Sequence, residues 1–359
     1  MWYWAAEPFL YLCFAIVSGH VLFSLVPGDY RPVAQLSPKL VAAAAAGIGI
    51  FSFFPILRIV SFFAEDIGWR LTFQRVMFDF TEGKAYLFTL MLSLLLAALI
   101  LWNGRLEGTG GVKVILLLLS LLMVAQGWSS HVASWYSTWG ILAQTLHIMA
   151  VSLWVGPLLA ASWHNDRTEH WDRFLSWFHP LAILCMTVIA ASGFVLTIGV
   201  APEYVNAWKL SYGQALLVKH LLIIPLVLFA IMNGFWMKRK LRADKAFNPQ
   251  PWARAESVIL LLIFSVTGFM NQQPAPHDVA DTLNESPASP LYLWFTGGLL
   301  DKEKDLALSF GGLSVFACAA AIIAMVTAVL CAKRRKAVQT LLWAVASAIL
   351  LYYGLMSAV

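Results

Sequence analysis

Gly127-Trp128-Ser129-Ser130-His131 closes one apolar run, residues 114–132, and Leu146-His147-Ile148-Met149-Ala150 lies inside the next, residues 141–162. Each run is long enough to cross a membrane, because the hydrocarbon core is about 30 Å thick and a helix that rises ~1.5 Å per residue needs ~20 residues to span it. The two runs are read as helices four and five, joined by a very short connection with a histidine on either side. An imidazole among residues this apolar gives up its hydration, so each histidine is a candidate functional group by default. The competing reading for either is a packing or hydrogen-bonding histidine.

The same pattern repeats outward along the chain, with helices near 8–26, 40–63, 85–102, 176–199, 213–237, 252–270, 307–331 and 338–358. Composition agrees, since 60% of the 359 residues are hydrophobic and only 12% are charged. That balance is the mark of a multi-pass integral membrane protein. The expected fold is therefore all-α, a polytopic helical bundle of about ten transmembrane helices embedded in the lipid bilayer. Met1-Trp2-Tyr3-Trp4 has no basic region and no small-residue cleavage site, so the first segment reads as a retained helix with an aromatic interfacial anchor.

Lysine and arginine in the connections set the orientation. Lys238, Arg239, Lys240, Arg242 and Lys245 follow helix seven, and Lys333-Arg334-Arg335-Lys336 follows helix nine, which puts both connections in the cytoplasm. Alternation then makes the N- and C-termini extracytoplasmic. Arg31 and Lys39, Arg105 and Lys113, and Arg167 and Arg173 agree. Arg70, Arg75 and Lys84 run against the rule, in a segment that also holds Glu65, Asp66, Asp79 and Glu82. The net charge of +5 is thus a topology signal and gives no reason to expect nucleic acid.

Two connections, both on the outer side, are long enough to hold structure. Phe73, Val76, Met77 and Phe80 follow i, i+3, i+4, i+7 spacing, as an amphipathic helix on the interface would. Residues 271–306 carry Pro274, Pro276, Pro287 and Pro290 with His277, Asp278 and Asp281, and form either a cap over the outer mouth or an ordinary solvated loop.

In this topology His131 stands at the outer end of helix four and His147 lies ~9 Å below the outer start of helix five. His220 enters helix seven at nearly the same depth. If the faces meet, the three imidazoles converge on one metal ion. Imidazole suits copper, zinc, iron and nickel, while sulfur ligands shift the preference toward Cu(I). The soft donors are scattered: Cys13 lies seven residues before His20 on one face of helix one, Cys185-Met186 lies midway along helix six, and Met270 closes helix eight. Isolated Met and Cys in membrane helices are usually core filler. His20, Cys13, Met270 and His277 are carried as additional candidates for a metal or its path, whereas His164, His170 and His179 fall in a charged, solvated stretch. Arg58 in helix two is close enough to the surface to snorkel.

Trp128-Ser129-Ser130-His131-Val132-Ala133, then Leu146-His147 through Ser152-Leu153-Trp154-Val155-Gly156, then Tyr212-Gly213-Gln214-Ala215-Leu216-Leu217-Val218-Lys219 together resemble the copper resistance D (CopD) family of bacterial membrane proteins. Thr81-Glu82-Gly83-Lys84-Ala85 and Asn233 add to the likeness, which covers helices three to eight well and helices one and two loosely. The resemblance implies copper movement across the bacterial plasma membrane, often beside a separate CopC-type extracytoplasmic copper-binding protein. It also implies that His131 and His147 are copper ligands. His220 is outside the motif, and its candidacy rests on depth. Lys219 matches the motif and neighbours His220, so it either modulates the metal site or tethers backbone oxygens. On this reading residues 1–270 are the CopD-like eight-helix core, 271–306 the extracytoplasmic loop and 307–359 two additional helices.

The absences bear on mechanism. A G-x-x-x-x-G-K-[ST] phosphate loop and a Cys-Pro-Cys sequence are both missing, which argues against direct use of ATP. Carboxylates are rare in the spans, with Glu7 and Glu256 at helix ends, and the four cysteines form no C-x-x-C. The expectation is a non-enzymatic copper transporter that takes copper up through an outward-facing histidine site. The alternatives are a haem-binding electron carrier with two axial histidines and a copper receptor or assembly factor that moves no metal.

Overall fold

The computed structural model describes residues 2–32, 36–103, 109–164, 170–244 and 247–359, with the side chains of 67, 103, 109 and 131–137 outside that description. Arg105, Arg167 and Lys245, used above for orientation, also lie outside the described residues. Among the described residues every regular element is helical, and ten helical spans are long and apolar enough to cross a membrane. The chain is a polytopic helical membrane bundle. Its two compact units are Met1–Gly199 and Val200–Val359.

The first unit contains α1 (Ala6–Leu25), α2 (Pro38–Phe51), α3 (Phe53–Ile67), α4 (Trp69–Phe78), α5 (Thr81–Asn103), α6 (Thr109–Trp128), α7 (His131–Trp163) and α8 (Trp171–Val200). The second span bends at Ser52, between α2 and α3, where the Ser52 hydroxyl accepts a bond from Gln126 Nε2 of α6 at 2.9 Å. On α4 the expected apolar face divides. Val76 and Met77 bury against Ile56 and Val60 of α3, while Phe73 and Phe80 stay exposed.

Helix α1 packs on α7 at a glycine crossing. A Cβ on Gly156 would meet Ala15 O and, at 2.6 Å, Gly19 N, so only two residues without side chains allow the backbones this close. Without a hydrophobic drive between helices in lipid, such close van der Waals contact is what holds a pair together. At the C-terminal end of α1 the chain is tied to α8: Trp177 Nε1 donates to Tyr30 O at 3.0 Å, and Arg173 stands 3.4 Å from the Asp29 carboxylate.

Glu7 and Arg58 are not simply at a surface. Glu7 is buried, its carboxylate accepts from Tyr11 Oη at 2.8 Å, and it lies within electrostatic reach of Arg58. The cation of α3 thus has a counter-charge inside the unit, as a charge at membrane depth requires.

The second unit contains α9 (Ser211–Ile231), a π-helical turn at Met232–Trp236, α10 (Met237–Ala243), α11 (Gln250–Asn271), α12 (Val279–Glu285), α13 (Pro290–Phe295), α14 (Gly312–Lys333) and α15 (Ala337–Met356). The last two pack through a seam of small buried residues: Ala317, Ala321, Ala324, Ala328 and Ala332 on α14 and Ala344, Ser347 and Ala348 on α15. Ser347 Oγ donates to Ala321 O across that seam at 2.8 Å. Large side chains such as Phe316, Ile322, Ile323 and Leu342 point out, where lipid would receive them.

The two basic connections of this unit meet, with Arg335 3.1 Å from Asp244 and its guanidinium over the Phe247 ring. Residues 271–306 fold onto the connection 201–210. Lys209 is fully buried and donates to Lys304 O at 2.6 Å, Ser289 N donates to Lys209 O at 2.7 Å, and Asn206 Nδ2 donates to both Glu203 and Asp305. Burial draws the Lys209 ammonium below the usual lysine range, and Asp301, Asp305 and Glu203 oppose that shift. The ninth span begins at Gly312, later than the sequence suggests, because apolar Leu306 and Leu308 lie in an extended stretch whose Ser309 N–H is satisfied by Ala358 O at 2.7 Å.

Candidate functional site

His131 and His147 lie on one helix. Two serines stop α6: Ser130 Oγ donates to Gly127 O at 2.7 Å and Ser129 Oγ to Gln126 O at 3.2 Å, taking carbonyls that the helix would need to continue. His131 then opens α7, which runs unbroken through Trp163. Sixteen residues separate the two histidines, about 24 Å along a regular helix. A side-chain nitrogen reaches ~6.5 Å from its Cα and a metal–nitrogen bond is ~2 Å, so two histidines sharing one ion have Cα atoms within roughly 17 Å. The expected chelate across a helix-four to helix-five turn is therefore not formed, and the same separation excludes this pair as the axial ligands of one haem iron. The side chain of His131 lies outside the described residues.

His147 faces away from α6. The α6–α7 contact is made by Gly127, where an added Cβ would meet Thr145 Oγ1 and, at 2.8 Å, Ile141 O. Two residues on from Thr145 is roughly 200° around the helix, and the His147 ring lies over α8. Its Nδ1 is 3.0 Å from Ser192 Oγ, and a Cβ on Gly193 would touch its Cε1 at 3.5 Å. His147 lies sixteen residues into α7, ~24 Å along it from His131.

His20 is the most buried histidine, 2% exposed, and neither ring nitrogen has a hydrogen-bond partner among the described residues. An imidazole in that state is rare enough to need an explanation, a water or an ion being the usual ones. It follows Gly19, which abuts Gly156 on α7, and Gly156 follows His147 by nine residues, ~14 Å further along the helix. The first unit thus carries three histidine residues in succession along the α1–α7 pair: His131, His147 and His20. Cys13 is buried beside Gly47 of α2, within contact distance of the Cβ that glycine lacks.

The remaining candidates belong to the second unit. His220 Nδ1 is 2.7 Å from Tyr204 Oη, with the rings 5.5 Å apart. Burial pushes the Tyr204 phenol up to about 12, so it stays protonated. Nδ1 of His220 is therefore engaged, as donor or acceptor according to the tautomer. Lys219 is half-buried and, among the described residues, makes no hydrogen bond or ion pair. Met270 is buried at the end of α11, and His277 is half-buried in the connection that follows. Of the three histidines expected to be solvated, His164 and His170 are exposed and His179 is half-buried on α8. Among the described residues no group of three or more His, Cys, Asp or Glu stands close enough to hold a metal ion.

Sequence reasoning missed three partners. Ser192 sits in the run Ala190-Ala191-Ser192-Gly193 and Tyr204 in a loop, and neither position carries a local signal. Glu256 is not merely near a helix end: it is 2% exposed and accepts from Asn233 Nδ2 in the π-helical turn. Gln214, quoted above for the resemblance, is a structural hub that donates to Trp208 O and accepts from Tyr352.

Ten candidate spans among the described residues, with one fully buried imidazole, that of His20, and few intramembrane carboxylates, define a polytopic membrane protein. Residues 172–270 match the family model for Copper resistance protein D. The chain is also 26% identical over 295 residues to "Copper transport protein CutJ" of Bacillus subtilis (strain 168), an alignment covering 77% of this chain and 53% of that protein. The chain therefore spans about half the length of this curated relative. No solved structure matches it. The two matches support a CopD-family, copper-related membrane protein.

Proposed function

We propose that this protein carries copper across a bacterial plasma membrane, in the direction of uptake and without hydrolysing ATP. The observation that carries the reading is the succession of histidines in the first unit, with His131 at the head of α7, His147 further along it and, beyond that, His20, whose ring nitrogens have no hydrogen-bond partner among the described residues. A cation crossing hydrocarbon loses its hydration, and donors at successive depths offset that loss in steps small enough to leave as well as enter. Imidazole is a ligand that copper accepts in either oxidation state. The family match and the name of the Bacillus relative point to the same cargo.

In this reading His131 accepts copper at the outer mouth, from solution or from a CopC-type partner, and His147 and His20 pass it inward. The two basic connections that meet at Arg335 and Asp244 mark the cytoplasmic face, which leaves both termini outside and residues 271–306 as an extracytoplasmic cap. The inward membrane potential, worth ~2.3 kcal/mol per charge at 100 mV, supplies a driving force.

Reconstituted vesicles loaded with a copper-responsive dye provide the test. The wild-type protein should admit Cu(I) faster than empty vesicles, and His147→Ala and His20→Ala should each slow that flux. Stoichiometric copper binding with no flux would replace transport by a receptor role. A purified protein with a Soret band and no copper would replace it by haem-based electron transfer.

A further inference from the structure

The connection 201–210 joins two spans, and the strap 301–305 precedes a third. Between them they gather acidic groups outside the helices. Asn206 Nδ2 stands 2.6 Å from Glu203 Oε2 and 3.0 Å from Asp305 Oδ1, so one amide nitrogen lies between carboxylates from segments far apart in the chain. Lys209 is within electrostatic reach of both and of Asp301, and its ammonium is spent on Lys304 O at 2.6 Å. Three carboxylates against one ammonium leave an excess of two negative charges. Of the strap's own lysines, Lys302 is engaged by Leu283 O and Asn284 Oδ1, and Lys304 is exposed, where solvent screens it.

Asn206 itself is 9% exposed, and its Oδ1 has no hydrogen-bond partner among the described residues. A buried acceptor in that state calls for a water or an ion. Half a turn of the amide exchanges oxygen and nitrogen, two atoms so alike that only their partners tell them apart. Oδ1 then takes the place of Nδ2, at 2.6 and 3.0 Å from the two carboxylates. Three oxygens at that spacing repel unless a cation lies among them. It is also the spacing of neighbouring oxygens around calcium, roughly 3 Å for metal–oxygen bonds of ~2.3–2.6 Å. We propose that Glu203, Asn206 and Asp305 form a site for a hard divalent cation of the calcium type, which clips the strap 301–305 to the connection 201–210. Water fills the rest of a shell of roughly six to eight oxygens. An all-oxygen set, without imidazole or sulfur, does not suit copper, so the site is separate from the transport path and is tested apart from it.

Endoproteinase Lys-C cleaves after Lys302 and Lys304 when the strap opens, and the rate is read on purified full-length protein. A ligand that binds only the closed strap lowers the open fraction by a factor of 1 + [L]/Kd, so ~5 mM calcium at a Kd of ~1 mM, the range of extracellular calcium modules, should slow cleavage about sixfold relative to chelated protein. Asp305→Asn and Glu203→Gln keep an oxygen for the Asn206 amide but remove a charge, and each should lose the calcium effect. Asn206→Asp supplies a third carboxylate and should be protected at lower calcium than the wild type. Wild-type cleavage indifferent to calcium, an equal calcium effect in Asp305→Asn, or an Asn206→Asp variant cut faster at every calcium concentration overturns the site. In the last case the amide serves only as an N–H bridge between the two carboxylates.

Discussion

Replacing His131 and His147 by alanine, singly and together, asks whether one ion or two are involved. The sixteen residues between them on the unbroken α7 put their Cα atoms about 24 Å apart, beyond the roughly 17 Å within which two imidazoles can share a metal. Sites this distant act independently, and free-energy losses at independent sites add to within about 0.5 kcal/mol. The coupling energy between the two substitutions should fall below that figure. If instead the two rings bound one ion, either single change would remove the shared chelate. A tenfold to hundredfold loss in each would then be repeated only once in the double variant, a coupling of about 1.4–2.7 kcal/mol. The assay is competition for Cu(I) against a chromogenic chelator, with purified full-length protein under reducing conditions. Stoichiometry from the same titration gives a second readout: each single variant should lose one ion and keep the other. A double variant no weaker than either single one would refute the separation argument, and with it the stepwise path.

Three other perturbations follow from the packing. Gly156→Ala drives a methyl into the backbone of α1 at Gly19 and should cost about 1–3 kcal/mol by overpacking, read as a lower unfolding midpoint in detergent; Gly28→Ala, with open space around it, is the matched control. Lys209→Met removes the buried ammonium's bond to Lys304 O and should cost about 1.5–3 kcal/mol, seen as faster proteolytic nicking within 271–306; unchanged nicking would mean the bond does not hold that layer down. Lys219→Met should alter the rate of copper uptake at unchanged expression, because a cation beside His220 repels a second one, and an unaltered rate would assign Lys219 a purely structural role.

The spans were legible because hydrocarbon imposes a length and a composition at once, and almost every apolar run of the chain meets both. Leu306 and Leu308 misled for the same reason: their apolarity extends the run, but a backbone bond from Ser309 to the C-terminal segment holds that stretch extended. The break after Trp128 was read in nearly the right place, since Ser129 and Ser130 compete for helix carbonyls. What followed was not legible. Residues 131–137 contain no glycine or proline, so nothing stops the helix from starting at once, and the expected turn between two histidines became one long rod.

By itself the sequence determined the class of protein, the number of spans, the histidines worth pursuing and the family they resemble. These depend on composition, run length and local motif, which are properties of a chain read in one dimension. Only the tertiary structure decided that His131 and His147 stand on one helix, that His147 turns toward Ser192 of α8, that His20 is buried with no hydrogen-bond partner among the described residues and that His220 is already engaged by Tyr204. Those outcomes depend on which helix faces meet, and the faces are chosen by close approaches such as Gly19 on Gly156 and Gly127 on Thr145. A small residue permits such an approach, but it does not name its partner.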